Sequence, residues 1–229
     1  MEQLAIEAAE LSRRYGSRWS LARLNLEVKI GERFLIVGGN GSGKTTLLRL
    51  LSTALPRSGG SLSIFGIDPE LSRSDVRSSL GLLSHQSAIW EDLSGSENLE
   101  ILANLVGVSV DTHALLAKVK LESRIDPVST YSAGMRKRLA FARLLLQRPR
   151  LALIDEPYGQ LDPEGFDLVD SLVDELIDAG STVVMASHLV ERAAKKCDRA
   201  LLLEAGQARW TGVSSDVPKA WRALHKGES

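Results

Sequence analysis

The chain has 229 residues, 28 Lys and Arg against 29 Asp and Glu, a formal net charge of -1 and 44% hydrophobic residues. That length suits one large domain or one domain with an inserted lobe, and the apolar content excludes a disordered chain. The near-neutral balance leaves no electrostatic footprint for nucleic acid, so no nucleic-acid partner is expected. A single cysteine, Cys197, rules out an internal disulfide framework and any zinc-type spacing; it reads as a half-buried helix residue. Glu2 and Glu7 stand where a signal peptide needs a basic segment and an apolar run, and no stretch approaches the ~18 apolar residues of a membrane helix. The expectation is a chain without signal peptide or transmembrane segment.

The first segment alternates: Leu24, Leu26, Val28 and Ile30 against Asn25, Glu27 and Lys29, the period of a half-buried strand. Gly31-Glu32 turns the chain into Arg33 to Val37, a continuous apolar run suited to a sheet covered on both faces. A Gly-rich loop follows, then a helix from about Lys44 to Leu51 with Leu47, Leu48, Leu50 and Leu51 buried. Gly59, Gly60 and Gly66 frame a short strand, Ser61 to Phe65. Residues from about Ser87 to Gln147 read as mostly helical, with a break at Asp126-Pro127. Leu151 to Ile154 is a second core strand. Asp167 to Ala179 is a helix with Leu168, Leu172, Val173 and Leu176 on one face. Thr182 to Ala186 is a third strand, and Ala200 to Trp210 a hairpin around Ala205-Gly206. Strands alternating with helices predict an α/β fold with a largely parallel core sheet.

Gly38-Gly39-Asn40-Gly41-Ser42-Gly43-Lys44-Thr45 matches GxxxxGK[ST] between a strand and a helix. The glycines let successive backbone N–H groups turn inward, and those donors surround a polyphosphate at a helix N-terminus. Lys44 reaches the β- and γ-phosphates, and the Thr45 hydroxyl is a magnesium ligand. Leu151-Ala152-Leu153-Ile154-Asp155-Glu156-Pro157 delivers two carboxylates to the sheet edge where that loop emerges. Asp155 is placed on Mg2+, directly or through water, and Glu156 as the general base for water. His188, after the third strand, is placed on the γ-phosphate. Gln86, after Leu80-Gly81-Leu82-Leu83, is placed at the metal and beside whatever docks there.

These pieces resemble the nucleotide-binding subunit of ATP-binding-cassette (ABC) transporters over nearly the whole chain. The family signature LSGGQ corresponds to Tyr131-Ser132-Ala133-Gly134-Met135, and the phosphate loop, signature, Asp155-Glu156-Pro157, Leu161-Asp162 and His188 stand in family order. The resemblance implies one cassette over 1–229. It implies a P-loop NTPase core with a mostly parallel sheet, an N-terminal antiparallel β subdomain and an inserted helical subdomain near 87–147. It implies ATP and Mg2+ as cofactors, and two cassettes pairing head to tail, as a homodimer in the ATP-bound state, around two ATP molecules. Ser132 and Gly134 would then meet the partner's γ-phosphate at the positive end of a helix from about Ala133 to Gln147. Asp162 would communicate across that dimer, Tyr15 would stack on adenine, and Thr46 would join the phosphate contacts. Transmembrane ABC permease subunits would be the other partners, with the chain peripheral at the cytoplasmic face of the membrane.

The chain departs from the pattern at Tyr131, Ala133 and Met135, and at Gly39, where many relatives have proline. Arg136-Lys137-Arg138 reads as a solvated face. A finer resemblance, carried by Leu83-Ser84-His85-Gln86, the Ser132-Ala133-Gly134 variant and Asp155-Glu156-Pro157-Tyr158, is to the ATPase subunit of the haem-exporter group that serves cytochrome c maturation (CcmA type). His85 reads as a loop residue, and Ile89, Trp90 and Leu93 as either a partner contact or lobe core. The rivals are an ATPase subunit of another bacterial exporter, a soluble cassette ATPase without a transporter, and a regulatory module that binds ATP without cutting it. The soluble cassettes usually add a second cassette, a coiled coil or zinc cysteines; Glu156 and His188 argue against the binding-only module.

Overall fold

The computed structural model describes residues 3–84, 89–122 and 124–225. In chain order the elements are β1 (Leu4–Tyr15), β2 (Arg18–Lys29), β3 (Arg33–Val37), α1 (Lys44–Leu51), β4 (Gly59–Ile64), α2 (Arg73–Ser78) and β5 (Leu80–Leu83). Then follow α3 (Gly95–Val106), α4 (Thr112–Lys118), α5 (Ala133–Gln147), β6 (Leu151–Asp155), α6 (Pro163–Asp178), β7 (Thr182–Ser187), α7 (Val190–Ala194), β8 (Arg199–Glu204), β9 (Gln207–Val213) and α8 (Val217–His225). Two sheets result: an antiparallel one of order β2-β1-β4, and a six-stranded one of order β5-β6-β7-β3-β8-β9, parallel except for β9.

Side-chain alternation along the central strands sorts the core into two layers. Phe34, Ile36, Leu151, Leu153, Val184, Ala186, Leu201 and Leu203 pack on the side of α1 and the antiparallel sheet. Leu35, Val37, Ala152, Ile154, Val183, Met185, Ala200 and Leu202 pack on the side of α5 and α6. A strand covered on both faces has no polar register, which explains its unbroken apolar sequence. The helices between β5 and β6 pack on one another, α3 on α4 and both on α5. Helix α3 starts at a capping box formed by Ser94 and Glu97 and ends at Gly107 in the left-handed region.

Several boundaries differ from the sequence expectation. Ile30 lies past the end of β2 and is 42% exposed, because the chain has already entered the turn at Gly31. Helix α6 begins four residues earlier than expected, at Pro163, because Asp162 caps it and Pro is favoured at the first helical position. Leu172, Val173 and Leu176 are buried on its core face as expected, Leu168 packs against that core half-buried, and Val169 joins them. Cys197 is half-buried as expected but lies in the connection from α7 to β8, not in a helix; burial pushes its thiol pKa up. The β8–β9 turn has Ala205 and Gly206 both at positive φ, the primed geometry that matches strand twist.

Candidate nucleotide site

The register of the parallel strands decides where the site forms. Val37 at the end of β3 stands beside Ser187 at the end of β7, and Asp155 at the end of β6 stands beside Ala186. The chain segments leaving all three strands, beginning at Gly38, Glu156 and His188, therefore emerge side by side at one edge.

The loop after β3 is shaped for close approach. A Cβ on Gly38 would lie 2.3 Å from Ser42 Oγ and 2.5 Å from Leu203 O; Gly43, at φ 110°, would bring one within 2.8 Å of Ser20 O. Gly39, by contrast, has no neighbour within 4 Å of such a Cβ and an ordinary φ. Asn40 and Gly41 form the exposed tip. Helix α1 opens on Gly43 without a side-chain cap and without an acidic residue in its first turn, so no side chain of its own occupies its leading N–H groups. The Lys44 ammonium folds back over this loop, donating to Gly38 O at 2.7 Å and Gly39 O at 3.3 Å, and stands 3.9 Å from Glu156 Oε1. Thr46 faces the antiparallel sheet: its hydroxyl is 2.8 Å from that of Ser20 on β2.

Thr45 Oγ1 donates to Asp155 Oδ2 at 3.0 Å. The other oxygen, Oδ1, is buried and has no hydrogen-bond partner among the described residues, as is true of Ser42 Oγ. A buried carboxylate oxygen without a donor is costly. A hydroxyl and a carboxylate are the hard oxygen donors that Mg2+ takes, so the pair fits that ion. A cleft of about 550 Å³, lined by Leu48, Arg49, Leu55, Leu82 and Ser84, opens beside it.

Glu156 continues the β6–β7 ladder through its N–H to Ala186 O at 2.8 Å, then turns into the left-handed region at φ 50°. That turn carries its carboxylate to His188, whose Nδ1 lies 2.7 Å from Oε2 and whose backbone N–H donates to the same oxygen at 3.3 Å. The element after His188, α7, is pinned to α6: Arg192 reaches both Asp167 and Asp170 at 2.6 Å, and Asp170 also accepts from Tyr158 at 2.7 Å. Burial and the Asp170 carboxylate push the Tyr158 hydroxyl pKa up, so it stays a donor.

Ser132 caps α5, its hydroxyl accepting from Met135 N at 3.2 Å, and is exposed. Gly134 packs where a Cβ would meet Gln160 O at 3.1 Å. Tyr131 is buried, its hydroxyl against Gly95. Asp162 accepts from Gly165 N at 2.7 Å as the α6 cap, with Arg138 3.8 Å away; the cap role is one the sequence reading missed, although Asp before Pro163 signals it. Tyr15, at the end of β1, is 47% exposed with the Arg13 guanidinium 4.8 Å above its ring. Gln86 and His85 lie outside the described residues. Ile89 packs against the core, Leu93 is half-buried, and Trp90 is exposed with Arg143 5.9 Å over its ring. The solvated face expected for Arg136-Lys137-Arg138 does not form as a whole. Lys137 is 8% exposed and its Nζ donates to Glu156 O at 2.5 Å, because the helix that presents Ser132 also packs this residue against the Glu156–Gly159 turn.

A glycine-lined loop at a helix N-terminus, one ammonium, a hydroxyl–carboxylate pair and a carboxylate held by a histidine define a P-loop nucleotide site. The ABC transporter family pattern matches residues 21–159. The chain is 34% identical to the daunorubicin resistance ATP-binding protein DrrA3 of Streptomyces coeruleorubidus over 95% of this chain and 71% of that one. It is also 34% identical to the Nod factor export ATP-binding protein I of Cupriavidus metallidurans, over 84% of this chain and 66% of that one. Its fold superimposes with a TM-score of 0.82, at 24% identity, on a dimeric ATP-binding cassette in a post-hydrolysis state with ADP and Pi, covering 91% of this chain and 98% of that one. The chain belongs to the ABC transporter family, as an ATP-binding subunit. ATP hydrolysis is the activity of such subunits, and among the described residues no helix is long and apolar enough to cross a membrane.

Proposed function

We propose that the chain is the ATP-hydrolysing subunit of an exporter, peripheral at the cytoplasmic face of the membrane and coupled to transmembrane permease subunits. The observation that carries this reading is the convergence of Lys44, Thr45, Asp155, Glu156 and His188 at three adjacent strand ends. The export direction is supported by the Nod factor export relative.

In this reading the amides of residues 38–46 and the Lys44 ammonium hold the triphosphate, with Lys44 leaving Gly38 O and Gly39 O for the β- and γ-phosphates. Thr45 and Asp155 would hold Mg2+, joined by Gln86. That ion would neutralise charge on the β- and γ-oxygens. Glu156 takes the proton of a water as the water's oxygen attacks the γ-phosphorus; the bond to the β–γ bridging oxygen breaks, and ADP is released. His188 holds Glu156 in place and faces the γ-phosphate. Tyr15 stacks on adenine once Arg13 swings off its ring. Ser132 and Gly134 belong to the partner cassette's site, so two copies close head to tail, and Asp162 stands at that interface. Residues near 87–147 form the helical subdomain that receives the permease.

The test is Glu156→Gln. It should keep ATP affinity, lower turnover roughly 10²–10⁴-fold, and accumulate an ATP-dependent dimer by light scattering. Wild-type turnover in that variant would remove Glu156 from the chemistry.

A second reading makes the cargo haem in cytochrome c-type biogenesis. It rests on Leu83-Ser84-His85-Gln86, the Ser132-Ala133-Gly134 variant and Asp155-Glu156-Pro157-Tyr158. The membrane protein that co-purifies with this chain decides between the two.

A further inference from the structure

Lys137 is a charged residue that the reaction above does not use, yet it is buried at 8% exposure beside the general base. Its neighbours in sequence, Arg136 and Arg138, are only half-buried. The ammonium donates to the main-chain oxygen of Glu156 at 2.5 Å, and a Cβ on Gly159 would lie 3.4 Å from it. Glu156 is a non-glycine residue at φ 50°, a conformation that costs free energy and persists only where surroundings hold it. A buried ammonium is itself costly unless a partner compensates. Both costs are offset by one contact: the lysine finds an acceptor, and the strained peptide finds a charged donor.

We propose that Lys137 is a positioning residue for ATP hydrolysis: it clamps the Glu156 carbonyl so that the carboxylate stays turned toward His188 and the γ-phosphate. The clamp acts through Glu156 and touches no substrate. It rests on the reading of Glu156 as general base. Burial lowers the Lys137 pKa, while the Glu156 and Asp155 carboxylates act the other way and favour the cation. Because Lys137 lies two turns or less from Ser132 on α5, the clamp also joins the signature helix of a cassette to that cassette's own Glu156.

The test compares full-length wild type with Lys137→Met, which keeps length and apolar bulk, and Lys137→Gln, which keeps an N–H donor. Each is measured for kcat and KM for ATP, with ATP affinity from a fluorescent ATP analogue. Lys137→Met should lower kcat about ten-fold, the scale of one charge-assisted hydrogen bond, with KM within about two-fold of wild type. Lys137→Gln should recover part of the loss. On a Glu156→Gln background, Lys137→Met should cost nothing more, because the residue it positions is already disabled. An unchanged kcat overturns the proposal, as does a loss of kcat tracked by an equal loss of ATP affinity in both variants, or a full ten-fold loss on the Glu156→Gln background. Should Lys137→Met fail to fold, Lys137→Leu, which also lacks a donor, carries the same criteria. Failure of the general-base reading shows separately, as wild-type turnover in Glu156→Gln alone.

Discussion

At the sheet edge, Lys44, Asp155 and Glu156 are buried or nearly so, Lys44 held by backbone oxygens and near Glu156, Asp155 held by Thr45; at the start of α5, Ser132 is exposed and Gly134 packs on the Gln160–Leu161 segment. The first group is fixed by strand register, since β3, β6 and β7 end at matching positions. The second is fixed by a helix cap, with Ser132 and Ala133 exposed at the helix N-terminus. One region is thus organised within a single chain, and under the proposed function the other serves the site of a second copy. This contrast is what a two-copy site requires, and it can be attacked from either side.

The largest expected effect is at the sheet edge. Lys44→Ala removes the ammonium that bridges the loop and Glu156. Turnover should fall roughly 10²–10³-fold, the scale of deleting one donor from a developing-charge site, and ATP affinity should fall with it in a nucleotide titration. Unchanged turnover would separate the loop from the chemistry and end the contrast.

The signature region should respond differently. Gly134→Val drives bulk toward Gln160 O, which already lies 3.1 Å from a Cβ, and displaces the first turn of α5. Turnover should drop on the order of 10²-fold, as for a misplacement of about 1 Å, while one chain's ATP affinity stays at the wild-type value. If ATP affinity falls as far as it does in Lys44→Ala, the two regions are not separable.

The same contrast governs how much was legible in the sequence. The loop 38–45 and the carboxylates 155–156 sit at the ends of continuous apolar runs, so pattern alone placed them at one edge, and the fold class followed from strands alternating with helices. Tertiary packing carries no such pattern. The inward turn of Lys137 depends on which face of α5 meets the Glu156–Gly159 turn, and a basic run gives no hint of that. Ser20 against Thr46 is a contact across 26 residues with nothing in either neighbourhood to announce it. The end of β2 before Ile30 and the early start of α6 were local, and both follow from turn and cap chemistry already written in Gly31 and Asp162-Pro163.

Asp162 supplies the smallest effect and the sharpest division of roles. Its carboxylate caps α6 through Gly165 N at 2.7 Å, and its side chain is 63% exposed near Arg138. Asp162→Ala should lower unfolding stability by about 1 kcal/mol, the usual worth of such a cap, read as a lower denaturant midpoint at unchanged slope. Asn caps as well as Asp, so Asp162→Asn should restore that stability. Turnover then decides whether the residue does more. If Asp162→Asn matches wild type in both stability and ATPase rate, Asp162 serves only the helix and belongs with the rigid sheet-edge scaffold. If stability returns but the rate stays low in the ATP-dependent dimer, the negative charge itself is used at the cassette interface, and Asp162 belongs with Ser132 and Gly134.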